Sequence, residues 1–106
     1  MLDYEISPSE AAALVGEGKA RVLDVREPWE YATAHVEGSV LMPMGEVAGR
    51  LGELEPGERL MVLCHHGVRS MNATAWLRRK GFERAQSVRG GIDAWAVEVD
   101  GKVARY

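Results

Sequence analysis

The chain is expected to fold as one α/β domain built on an open, mostly parallel sheet covered by helices on both faces, and three observations lead there. Two short apolar runs, "RVLDV" at 21–25 and "LMVLC" at 60–64, are nearly continuous rather than alternating, as suits central strands buried on both faces. Segments with helical spacing lie between and after them, so strand and helix alternate along the chain. A length of 106 residues with 46% hydrophobic content supports one modest core and leaves no room for a second domain, so residues 1–106 are read as a single domain.

Taken in order, Ser7, Pro8 and Glu10 read as N-cap, first helical residue and capping-box acid. With Ala11, Leu14 and Val15 as an apolar stripe, they predict a first helix over about Pro8 to Gly16. The strand at 21–25 follows, then a short helix over Pro28 to Ala34 and a short strand within "SVLMP" at 39–43. Val47, Leu51 and Leu54 share one helical face, and that helix should stop near Pro56-Gly57. Beyond the central strand at 60–64, Ala73, Trp76 and Leu77 sit at helical spacing within Arg69 to Lys80, with basic residues in the last turn and Gly81 at the C′ position. "AQSV" at 85–88 is the last expected strand, and Gly90-Gly91 opens the segment "IDAWAVEV". Trp29, Trp76 and Trp95 are all expected in the core, because they are dispersed and no basic stripe accompanies them as a stacking surface for nucleic acid would require.

Composition narrows the function classes. Thirteen Lys and Arg against sixteen Asp and Glu give a net charge of -3 with no long block of either sign, so neither nucleic acid nor an anionic membrane is an expected partner. The first residues do not form a basic then apolar leader, and no apolar stretch approaches a membrane span, which points to the cytoplasm. The single cysteine excludes an internal disulfide, and with three scattered histidines it makes a poor zinc site; no metal is expected.

That cysteine, Cys64, stands at the carboxyl end of an expected central strand, where ligands bind in open α/β sheets. If the next helix starts near Arg69, residues 64–69 form a tight loop whose N–H groups converge beside a positive helix end, which makes an anion cradle with a sulfur at its base. Such a setting favours the thiolate, the nucleophilic form. Gly67 permits positive φ and close backbone approach, Val68 contributes its backbone, and Arg69 brings a permanently charged fork. His65 and His66 are expected at the rim as hydrogen-bond donors.

Three stretches, "LDVREPWEYATAH" at 23–35, "CHHGVRS" at 64–70 and "RGGIDAW" at 89–95, together resemble the rhodanese family of sulfurtransferases, in family order and over nearly the whole chain. The resemblance implies a rhodanese-like domain with a mostly parallel sheet of about five strands. It implies that Cys64 carries a sulfane sulfur as a persulfide, taken from a donor such as thiosulfate, with the loop amides and Arg69 holding the anionic donor. Asp24 and Arg26 match the family's supporting Asp-x-Arg, expected here to brace the rim, and His35 matches a fold-supporting histidine. The turn reading Ala34-His35-Val36-Glu37-Gly38 departs from the family's Gly-His-Ile-Pro-Gly and leaves the nucleophile loop untouched. No metal or organic cofactor is implied; the acceptor is cyanide, a small thiol or a sulfur-accepting protein.

Two rivals stand beside this reading. A cysteine-dependent phosphatase or arsenate reductase would use the same thiolate and cradle, but those phosphatases place five residues between Cys and Arg where this chain has four. A non-catalytic binding or sulfur-relay module is the other, and the presence of both Cys64 and Arg69 weighs against the purely non-catalytic form.

Overall fold

The computed structural model describes residues 2–106. Five parallel strands form one sheet in the spatial order β1-β5-β4-β2-β3, with β1 at Glu5–Ile6, β2 at Arg21–Asp24, β3 at Val40–Leu41, β4 at Leu60–Leu63 and β5 at Ala85–Val88. Helices α1 (Pro8–Gly16), α2 (Pro28–Thr33), α3 (Met44–Val47), α4 (Val68–Arg79) and α5 (Gly91–Glu98) supply the crossovers and the closing segment.

The central strand β4 shows why its apolar run is continuous. Leu60, Val62 and Cys64 enter one core with Ala73 and Leu77 of α4 and Val47 of α3, while Met61 and Leu63 enter a second core with Ala11 of α1 and Ile92 and Trp95 of α5. Alternate residues of a strand face opposite ways, so a strand covered on both sides has no polar position to spare. All four residues of β4 are fully buried.

α1 starts and stops as its residues dictate: the Ser7 side chain accepts from the Glu10 N–H at 3.2 Å, and Pro8 occupies the first turn. α4 begins one residue earlier than expected, at Val68, and ends at Arg79 with Gly81 at φ +98° beyond it.

Three expectations are corrected. β1 is absent from the sequence reading, because two residues carry no periodicity; it exists through its pairing with Ser87 and Val88 of β5. The helix expected through Val47, Leu51 and Leu54 is a single α turn followed by a 3-10 segment at Ala48–Glu53. Gly45, Gly49 and Gly52 depress helix propensity along that stretch, and the apolar residues still reach the core. Trp29 is not core: it is 63% exposed at the start of α2. Trp95 is buried, and Trp76 is half-buried against the α4-side core.

The connection after β2 moves toward β3 at one edge, whereas that after β4 moves toward β5 on the other side. The crevice outside the carboxyl ends of β2 and β4 is therefore the topological switch point of the sheet. Asp24 and Cys64 stand there. Among the described residues no helix is long and apolar enough to cross a membrane.

Candidate active site

Cys64 follows β4 directly and is almost fully buried. Its Sγ accepts the Gly67 N–H at 3.0 Å, and the thiol donates to the Ser70 hydroxyl at 3.3 Å. Ser70 in turn shares a hydrogen bond of 2.7 Å with Ser87 of β5, so a buried pair of hydroxyls underlies the sulfur. The loop from His65 to Gly67 turns sharply into the N-terminus of α4, and the positive end of a helix of 12 residues points toward the thiol region.

Two glycines make this turn possible. Gly67 adopts φ +106°, a backbone that L side chains rarely take, and a Cβ there would come within 3.2 Å of the Gly90 N. Gly91 has φ +63°, and a Cβ on it would collide with the carbonyl oxygens of Cys64 and His65. The close approach has a purpose: the Ile92 N–H donates to the Cys64 carbonyl at 2.8 Å and the Asp93 N–H to that of His65 at 3.2 Å. The start of α5 thus holds the first half of the loop by the carbonyls of Cys64 and His65.

The rim residues are ordered by stacking and charge. The His65 ring lies between His66, at 3.9 Å and 21°, and Tyr106, at 4.0 Å and 8°. Burial, with His66 alongside, pushes the His65 imidazole below its ordinary value, so it is neutral at neutral pH. His66 and Val68 are exposed. Asp93 joins the two histidines, with one ligand atom of each of the three within 4.8 Å of the others. Its carboxylate is taken up by Arg105 at 2.8 and 3.1 Å.

Arg69 is not an isolated donor over the loop. Its guanidinium forms a two-pronged pair with Glu30, Nη1 to Oε1 at 2.6 Å and Nη2 to Oε2 at 2.8 Å, and its side chain stays 37% exposed. Glu30 is buried and also accepts from the Tyr106 hydroxyl at 2.7 Å and the Glu27 N–H at 3.0 Å. These donors, Arg69 foremost, hold its carboxyl down at about 2.

Asp24 and Arg26 lie beneath. Their side chains are fully buried and paired at 2.6 and 2.9 Å, and Arg26 further donates to the carbonyls of Ala34 and Glu30 and to the Tyr106 hydroxyl. A buried guanidinium needs every donor satisfied, and Arg26 achieves this by tying the end of β2 to both ends of α2. His35 stacks on Tyr31 at 4.2 Å and its Nδ1 lies 3.0 Å from the Tyr31 carbonyl, outside this cluster of contacts.

Six contributors escaped the sequence reading: Glu30, Ser70, Ser87, Asp93, Arg105 and Tyr106. Glu30 and Asp93 lie inside the quoted stretches, in the first turns of α2 and α5, but the sequence reading gave them no role. Ser87 and Tyr106 had no signal, since their partners are 17 and 76 residues away in sequence.

Comparison with known proteins identifies the family of the fold. Residues 7–98 match the rhodanese-like domain. Thiosulfate sulfurtransferase GlpE of Pseudomonas entomophila is 35% identical over 100 residues, 94% of this chain and 91% of that protein. The putative sulfur carrier protein YrkF of Bacillus subtilis is 39% identical over 74 residues, 70% of this chain but 40% of its own length. Among solved structures, a rhodanese-related protein from Thermoplasma volcanium superposes with a TM-score of 0.83 at 30% identity, covering 92% of this chain and 94% of that one. With strands β2 to β5, the thiol loop and the glycine-led last helix all falling within the matched span, the chain belongs to the rhodanese-like family.

Proposed function

We propose that this protein is a sulfurtransferase that moves a sulfane sulfur from thiosulfate, or a similar anionic donor, to a thiophilic acceptor through a persulfide on Cys64. The observation that carries the reading is the seat of Cys64 Sγ, which accepts the Gly67 N–H at 3.0 Å beside the N-terminus of α4. A negative sulfur is stabilised there by a backbone donor and a helix end. The relatives named as thiosulfate sulfurtransferases support the same chemistry.

In the first half-reaction the Cys64 thiolate attacks the outer sulfur of thiosulfate. The S–S bond of the donor breaks, sulfite leaves with the bonding pair, and Cys64 retains the outer sulfur as a persulfide anion. The donor lies against the loop formed by His65, His66, Gly67 and Val68, whose N–H groups face it, while Arg69 at the rim draws its negative oxygens. Asp24 and Arg26 brace this rim without touching the donor. In the second half-reaction cyanide or a thiolate attacks the terminal sulfur, and the Cys64 thiolate is the leaving group. The chemistry requires no metal or organic cofactor. Four residues between Cys64 and Arg69 suit this exchange at sulfur better than the five of the phosphatase loop.

A second reading, a carrier that delivers sulfur to one protein, is supported by the exposed apolar side chains of Val68, 72% exposed, and Trp29, 63% exposed, the first on the loop and the second next to Glu30 in α2. Intact-protein mass spectrometry after incubation with thiosulfate tests both. A single-sulfur adduct on Cys64 that cyanide or a small thiol discharges supports the enzyme. An adduct that small acceptors leave in place supports the carrier, and no adduct at all, with Cys64→Ser as control, refutes both.

A further inference from the structure

Tyr106, in the segment that follows α5, reaches two parts of the rim at once. Its ring lies flat on His65, which lies on His66. Its hydroxyl donates to Glu30 Oε2 at 2.7 Å and accepts from Arg26 Nη1 at 2.7 Å. Glu30 Oε2 is also the oxygen that receives Arg69 Nη2.

We propose that Tyr106 is a positioning residue for the thiol loop: its ring orders the two histidines, and its hydroxyl sets how firmly Glu30 holds Arg69 and so how readily Arg69 turns to an anionic donor. The identity of that donor rests on the function proposed above; the geometry does not.

The physical argument concerns the shared oxygen. A carboxylate oxygen that accepts from two donors spreads its charge between them. Removing the neutral donor leaves that charge to Arg69 alone, which tightens the Glu30–Arg69 pair. A dianion approaching the loop must share or draw away the same guanidinium, so the tighter pair weakens its capture. Loss of the hydroxyl leaves one Arg26 N–H without its partner, while Arg26 retains Asp24 and the carbonyls of Ala34 and Glu30.

Tyr106→Phe keeps the ring and removes only the hydroxyl. In a ping-pong reaction kcat/KM for each substrate reports its own half-reaction. The value for thiosulfate should fall about three- to tenfold through KM, the effect of one neutral hydrogen bond, while that for a small thiol acceptor stays level. An independent readout needs no sulfur transfer. The rate of Cys64 alkylation by anionic iodoacetate, divided by that for neutral iodoacetamide, should fall by the same factor in Tyr106→Phe, and further in Arg69→Ala. If the parent forms no persulfide, the proposed function fails while this ratio still judges Tyr106. An unchanged ratio, or equal slowing with both reagents, overturns the role of the hydroxyl. The ring is judged by NMR: upfield ring-current shifts of the His65 protons should persist in Tyr106→Phe and vanish in Tyr106→Leu, and their presence in all three proteins overturns that part.

Discussion

Replacing Glu30 by glutamine removes one negative charge from a buried oxygen pair while keeping its shape. The native carboxylate accepts four hydrogen bonds, two from Arg69 and one each from Tyr106 and the Glu27 N–H, and it titrates at about 2 rather than at the ordinary 4.5. A folded-state value below the unfolded one stabilises the fold at pH above the unfolded value, and the contribution is lost as pH falls toward the folded value. The whole interval corresponds to about 3 kcal/mol, and the partial exposure of Arg69 reduces this to about 2 kcal/mol. At pH 7 the Glu30→Gln protein should therefore be less stable than the parent by about 2 kcal/mol. The gap should narrow between pH 4.5 and 2 and close near pH 2, where the protonated acid and the amide are close equivalents. Urea denaturation of both proteins at pH 7, 5, 4 and 3 measures this. A difference that stays constant down to pH 3 refutes the ion pair as its source and assigns the loss to shape alone.

Arg69→Ala should lower kcat/KM for thiosulfate about ten- to a hundredfold, the value of a charge-assisted hydrogen bond to a dianion, and Arg69→Lys should recover only part of it because a point charge does not replace a fork; steady-state kinetics with the acceptor saturating decide. Gly91→Ala should destabilise the fold by about 3 kcal/mol or more, since its Cβ collides with the Cys64 and His65 carbonyls at a left-handed backbone position. A thermal melt within a few degrees of the parent contradicts that clash. Trp29→Ala should change stability by less than about 0.5 kcal/mol, because most of the side chain is already in water; a large loss on denaturation means that its edge contact with Tyr106 matters more than its exposure implies.

Local features of the chain determined most of the architecture. β4 and β2 were legible because a strand buried on both faces must be apolar at consecutive positions, and α1 and α4 because each carries its own cap and stripe. Cys64, Gly67 and Arg69 were legible for the same reason: the turn from strand to helix that gathers them spans six residues, so their proximity is a property of local backbone. Tertiary structure alone decided what those residues touch. Glu30 meets Arg69 across 39 residues, Tyr106 meets Glu30 across 76, and β1 exists only where β5 offers it an edge. Trp29 carries the same lesson in reverse, since a helix of six residues can turn any face to solvent once its neighbours are fixed. Contacts of this kind depend on the order in which strands assemble into the sheet and on which helix ends then meet at the switch point. No stretch of sequence encodes that meeting locally, because each partner's side chain suits its own element equally well with or without it.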